Sequence, residues 1–313
     1  MSKNKKYFTK ERILIGFILL NFTSGLLNNN KNKSSKRNKS SKRNKSSKRN
    51  KSDEILNNTL NHEIKKKKIN VNNTKPKIIY LGGSSWGCAF YIGCYKAILE
   101  RWKNIDDILI YGNSAGALIG LCIVLKMSVE KIEEIYKEFA DLANKNGVFF
   151  KMTKYHTKIL NKILINDDDY KKVNNKLQIG ITLYPDEHIV VNNWNSNQEL
   201  INDLHCSFHI PFYCTYNAKK NNKIALDGSF SMNFGDLPRN SILIGMNEMH
   251  DIYSNLSTKE CTYPLTNEKL KNIINDGYNK TLNYSTFIHK KKNFILPTPI
   301  WWTLRVLEIP FIN

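Results

Sequence analysis

The sequence predicts an α/β fold, and three local patterns carry that expectation. At Ile78 to Leu81 and again at Ile108 to Tyr111, a short apolar run suited to a strand buried on both faces passes through small residues straight into a helical stretch. A third apolar run, Ile224 to Leu226, ends on Asp227-Gly228. With 313 residues and 41% hydrophobic content, the chain is long enough to bury a sizeable core.

That core does not extend to the N-terminus. Residues 1–76 hold 21 of the 48 lysines and arginines but only 4 of the 27 acids, so +17 of the net charge of +21 lies in the first quarter. The remainder is nearly neutral, which argues against a fold whose whole surface binds nucleic acid, and no specific nucleic-acid partner is expected. Residues 1–30 read as a signal peptide or membrane-anchor-like segment: Met1 to Arg12 is basic, and Ile13 to Leu27 is uncharged and mostly apolar. Its 15 residues fall short of the roughly 20 a membrane span needs. A membrane-associated or secretory location follows as the expectation. Residues 31–76 form a basic low-complexity tail in which 33–50 are three copies of Lys-Ser-Ser-Lys-Arg-Asn. With no apolar residue in these repeats to offset the entropy of ordering, disorder is expected, and the charge suits contact with anionic lipid.

The globular domain is expected over 77–283. Its first strand, Ile78 to Leu81, runs into Gly82-Gly83-Ser84-Ser85-Trp86-Gly87 and then a helix ending near Trp102. Strand, small-residue loop and helix N-terminus in that order leave backbone N–H groups pointing outward, suited to an oxyanion or a phosphate. A dinucleotide-binding loop is disfavoured, because G-x-G-x-x-G is absent here. Next comes Gly112-Asn113-Ser114-Ala115-Gly116, a G-x-S-x-G pentapeptide between the second strand and the apolar helix Ala115 to Lys126. A serine hydroxyl is a weak nucleophile unless a sharp turn presents it, and Gly112 and Gly116 let strand and helix approach without Cβ clashes. Ser114 is therefore the candidate nucleophile.

Ser128 caps an amphipathic helix through Asn144, with Val129, Ile132, Ile135, Phe139 and Leu142 on one face. Leu177 to Tyr184 and His188 to Trp194 read as strands around Pro185-Asp186, and Ser196 to Glu199 as a capping box opening a helix towards Cys206. At the end of the strand Ile224 to Leu226, Gly228 permits a turn that exposes the Asp227 carboxylate. Ser241 to Met246 adds an apolar strand and Thr266 to Leu282 a last amphipathic helix; residues 284–313 form an apolar, aromatic extension containing Trp301-Trp302. The six cysteines show no C-x-x-C or Cys/His metal spacing, so buried free thiols are expected and neither metal nor cofactor.

Taken together, the Gly-rich loop, the G-x-S-x-G elbow and the later Asp-Gly resemble the patatin-like phospholipases over roughly residues 77–283. His209-Ile210-Pro211-Phe212 looks like the family's Ile-Pro segment, and Gly277-Tyr278 is similar to its late Gly-Tyr. The resemblance implies a three-layer α/β sandwich around a central, mostly parallel sheet. It also implies a lipid acyl hydrolase of phospholipase A or lysophospholipase type, cleaving esters of phospholipids or other acylglycerols in a membrane or lipid aggregate through an acyl-enzyme. By position Ser114 matches the nucleophile, Asp227 the base, and the amides around Gly82, Gly83 and Ser84 the oxyanion hole. The loop departs from the family's Asp-Gly-Gly-Gly-x-Arg-Gly at Leu81, Ser84 and Trp86. A Ser-His-Asp hydrolase is the alternative, with His250 or His289 late enough in the chain. A non-enzymatic protein tethered by its basic tail is the third reading.

Overall fold

The computed structural model describes residues 75–215, 217–238 and 240–284. The signal or anchor segment, the basic repeats, His289 and the Trp301-Trp302 extension lie outside these residues. The element order follows from the alternation of buried runs and amphipathic periods: β1 (Ile78–Leu81), a 3-10 turn (Ser85–Cys88), α1 (Ala89–Arg101), β2 (Leu109–Asn113), α2 (Ala115–Val124) and α3 (Val129–Asn146). After them come α4 (Met152–Ile163), α5 (Asp169–Val173), β3 (Leu177–Leu183), β4 (Glu187–Val191) and α6 (Asn197–Ser207). The chain then forms β5 (Lys219–Lys220), β6 (Lys223–Asp227), β7 (Ser241–Gly245), β8 (Ile252–Tyr253), α7 (Thr258–Thr262) and α8 (Asn267–Leu282).

Parallel pairs β7–β1, β1–β2 and β2–β3 make the middle of the sheet, as expected for strands buried on both faces, and β8 pairs parallel to β7 at one edge. The strand 78–81 and the helix starts at Ser128 and Thr266 fall where the sequence puts them. One detail of the capping expectation changes. Ser196 accepts from the Glu199 amide, but the Glu199 carboxylate takes the amide of Asn195 rather than that of the cap residue. Helix α4, short α5 and α7, and the two-residue strands β5 and β8 were not anticipated. In α4 the signal was present, since Met152, Tyr155, Ile159 and Ile163 recur every three or four residues and are buried.

Residues around β3 bring the site together. Strand β4 pairs with 179–183 on one edge of β3. The opposite edge is shared: β2 runs parallel along 177–180, and β6 comes antiparallel along 181–183, with Asp227 opposite Ile181. The C-terminal ends of β2 and β6 therefore abut beside Gly180 and Ile181, which sets Ser114 next to Asp227.

All six cysteines are buried and unpaired. Among the described residues, no helix is long and apolar enough to cross a membrane. Helices α1 and α8 cross closely at Gly93 and Gly277. A Cβ on Gly93 would lie 1.8 Å from the Ile274 carbonyl oxygen, and one on Gly277 would lie 2.1 Å from that of Phe90. The late Gly-Tyr thus serves packing, with Tyr278 donating to Glu100 at 2.7 Å. Because backbone, not a yielding side chain, fills the space, Gly93→Ala is expected to lower unfolding free energy by about 2 kcal/mol or more. Leu99→Ala, on the exposed side of α1, should cost less than about 1 kcal/mol. Urea denaturation of both variants checks the contrast.

Candidate active site

Ser114 sits where β2 breaks into α2, with φ 55° and ψ −134°, a left-handed conformation that costs a non-glycine residue about 1–3 kcal/mol. The surroundings hold it there. Its amide donates to Ser207 Oγ at 2.9 Å, and its carbonyl accepts from Ala117 N at 2.8 Å. Gly112 and Gly116 serve close approach, as the sequence suggests: added Cβ atoms would lie 2.5 Å from Ala117 backbone and 2.1 Å from Leu81 O, respectively. The strain therefore turns the hydroxyl out of the helix while strand and helix remain packed.

Asp227 is buried at 4% exposure at the end of β6. Its Oδ1 accepts from Ser229 N at 2.9 Å. Burial is the larger influence and pushes its carboxyl from 3.8 up to about 6; hydrogen bonding from Ser114 and Ser229 draws it back. The role of Gly228 differs from the expected turn. It lacks a positive φ, and what excludes a side chain is proximity: a Cβ there would lie 2.1 Å from Gly180 O.

The loop after β1 lies against both groups. A Cβ on Gly83 would come within 2.2 Å of Ser229 Oγ and 3.4 Å of Ser114 Cβ, so this backbone runs beside the serine and a side chain there would have to displace the Ser229 hydroxyl. The three loop residues are not equivalent. Gly82 N donates to Ile244 O at 2.9 Å, which commits that amide to the sheet. For Gly83 and Ser84, no amide hydrogen bond is present among the described residues. Trp86 is a structural anchor: its Nε1 donates to Tyr213 Oη at 3.0 Å, and its carbonyl accepts from Tyr136 Oη at 2.9 Å. Tyr213 in turn donates to Thr262 O at 2.7 Å, tying the 3-10 turn to α7.

Ser85 and Ser114 line one cavity whose remaining wall is mostly apolar. Leu118, Ile132, Phe139, Ile159, Ile163 and Phe208 supply much of that wall, from α2, α3, α4 and the end of α6. The apolar wall matches an alkyl chain. Sequence reasoning did not assign α4 to this wall, although its period marks the buried face.

Of the late histidines, His250 packs its ring 6.2 Å from that of Tyr80 and 5.1 Å from Phe234. Its Nδ1 lies 3.0 Å from Asn247 Oδ1. His209 contributes its backbone, accepting from Asp227 N at 2.9 Å.

Comparison with known proteins gives a consistent picture. Residues 80–235 match the family model for patatin-like phospholipases. The omega-hydroxyceramide transacylase of Mus musculus is 28% identical over 172 residues, covering 50% of this chain and 27% of that protein. The patatin-like phospholipase domain-containing protein 2 of Homo sapiens is 29% identical over 140 residues, 41% of this chain and 28% of that one. The crystal structure of VipD from Legionella pneumophila covers 67% of both chains at a TM-score of 0.44 and 10% identity. This chain spans little more than a quarter of the length of the curated relatives named here.

Burial of Asp227 has a consequence for stability. A carboxyl whose folded pKa is raised binds its proton more tightly in the folded state, so stability falls as pH rises from about 4 to about 6 and stays reduced above that. The displacement from 3.8 to about 6 is worth about 3 kcal/mol. Asp227→Asn is therefore expected to melt higher than the unsubstituted protein at pH 7.5, with the difference closing below pH 4. Thermal unfolding at the two pH values checks both halves.

Proposed function

Because the chain belongs to the patatin-like phospholipase family, we propose that it transfers lipid acyl groups through Ser114 and Asp227, with water as the principal acceptor. The observation that carries this reading is a strained serine beside a buried carboxylate, on the wall of an apolar cavity. The alkyl chain of an ester lies in the cavity and its carbonyl carbon meets Ser114 Oγ. As the oxygen–carbon bond forms, the hydroxyl proton passes to Asp227, and the negative charge on the carbonyl oxygen falls to the amides of Gly83 and Ser84. Collapse of the tetrahedral adduct breaks the bond to the alcohol, which leaves with the proton from Asp227. Water then attacks the acyl-serine, losing its proton to Asp227, and as this adduct collapses the proton passes from Asp227 to the leaving Ser114 Oγ and fatty acid is released.

A carboxyl near its ordinary pKa would be a weak base, and the rise towards 6 supplies basicity while leaving it ionised at neutral pH. The substrate class is a carboxylic ester of a phospholipid, lysophospholipid or acylglycerol at a lipid surface. Resolution of the acyl-serine by a lipid hydroxyl is the second reading, favoured by similarity to a transacylase. It uses the same two residues and differs only in the acceptor, so product analysis with labelled ester and an alcohol acceptor separates it from hydrolysis.

Ser114→Ala and Asp227→Asn are each expected to lower ester hydrolysis by about a thousandfold or more, and the double variant by no more than either. A fluorophosphonate should label Ser114, and kcat/KM should fall tenfold per pH unit below about 6. A comparable loss in folded His250→Ala, with Asp227→Asn active, replaces this reading with a triad. Activity of all variants equal to the unsubstituted protein on phospholipid, lysophospholipid and short-chain ester rejects catalysis at this site.

A further inference from the structure

The sheet face that carries Tyr80 and Tyr111 has its own small core, with Met232, Phe234 and Leu243, and a line of hydrogen bonds crosses it. Thr182 Oγ1 donates to the carbonyl oxygen of Asp227 at 2.8 Å and lies 2.7 Å from Ser231 Oγ. Ser231 Oγ is 2.8 Å from His188 Nδ1, and His188 Nε2 is 2.6 Å from Tyr111 Oη. The pairing places these groups on one face, since Thr182 stands opposite His188 on β4 and Tyr111 opposite Gln178, two pairs of residues along β3 from Thr182.

The direction of every proton in this line follows from its end. A carbonyl oxygen accepts only, so Thr182 spends its one proton on Asp227. The 2.7 Å contact then requires Ser231 to donate to Thr182, and His188 must donate from Nδ1 to Ser231. That leaves Nε2 of a neutral imidazole to accept from Tyr111. One arrangement satisfies the chain, with the Tyr111 proton directed to His188 Nε2 at 2.6 Å rather than to Met232 Sδ at 3.4 Å. It starts on β2, three residues before Ser114, crosses β4 and the turn after β6, and closes on the peptide of Asp227 itself.

We propose that His188 is a positioning residue, the centre of a hydrogen-bonded strap that fixes Asp227 relative to the strand carrying Ser114 and so sets the path of the transferred proton. The inference rests on the Ser114 and Asp227 reading above. His188 touches neither substrate nor reacting atoms in this scheme. Burial holds the imidazole towards its neutral form, with the Asp236 carboxylate opposing that in part, and the strap needs the neutral form. The β3–β6 ladder and the bond from Asp227 N to His209 O hold the peptide of Asp227 to β3 and to the segment after α6, and the strap adds a link from its carbonyl oxygen to β2.

The test compares four single variants and one double variant on a soluble ester, with melting temperature measured beside kinetics. His188→Ala and Ser231→Ala should each lower kcat about five- to tenfold with KM unchanged, the size expected for losing one buried hydrogen bond from the transition state. Their double variant should lose no more than either, since both cut one chain. His188→Asn can stand in only for the Nδ1 side of the ring and His188→Gln only for the Nε2 side, so neither bridges Ser231 to Tyr111 and both should keep the kcat loss of His188→Ala to within about twofold. Unchanged kcat in His188→Ala, additive losses, a change confined to KM or melting temperature, or rescue by Asn or Gln alone would each overturn the strap. Such results beside an inactive Asp227→Asn leave the dyad standing. An active Asp227→Asn overturns the dyad and the strap together.

Discussion

Two strand ends share one edge of β3, and where they meet the backbone leaves no room for a side chain. A Cβ on Gly228 would lie 2.1 Å from Gly180 O, and a Cβ on Gly180 would lie 2.0 Å from Asn113 Oδ1. This close approach brings the residue after β2 beside the last residue of β6, two positions more than 100 apart in the chain. Without it the elbow would present a serine to an empty rim. Parallel pairing around β1 and β2 and antiparallel entry of β6 are both required, because only opposite strand directions let two C-terminal ends converge on the same edge.

Geometry then sets the electrostatics. Asp227 stands where water is scarce, so burial raises its carboxyl and makes it a better proton acceptor, while hydrogen bonds from the two neighbouring serines keep it ionisable at neutral pH. The backbone strain at Ser114 and the desolvated carboxylate both oppose folding. They are held by a core that includes the α1–α8 crossing and the anchoring of Trp86 by Tyr213 and Tyr136. Local instability at a site and stability elsewhere are parts of one arrangement.

Much of this was legible in the residues. Both strand-to-helix junctions could be read because apolar runs of four or five residues bounded by glycine leave little choice of structure. The need for glycine at 112 and 116 was readable for the same reason. Less visible was why Gly228 is glycine: the constraint is a neighbour in space, and the turn signal Asp-Gly suggests a different cause. Which loop amide faces the serine was also hidden, since the use of Gly82 N by Ile244 O depends on how far β7 extends. Thr182, His188 and Ser231 carry no motif; their alignment arises from the register of β3 with β4 and the path after β6, neither of which a linear pattern contains. The cavity wall from α4 was available as a helical period, but its facing towards Ser114 is tertiary.

The claim that Ser114 and Asp227 act as one unit is tested most directly by titrating the Asp227 carboxyl itself, through the 13C resonance of labelled aspartate assigned with Asp227→Asn. In the unsubstituted protein the midpoint should lie near 6, and Ser114→Ala should move it higher, because the hydroxyl that stabilises the carboxylate has gone. A midpoint near the ordinary 3.8, or one that ignores the loss of Ser114, would contradict the claim.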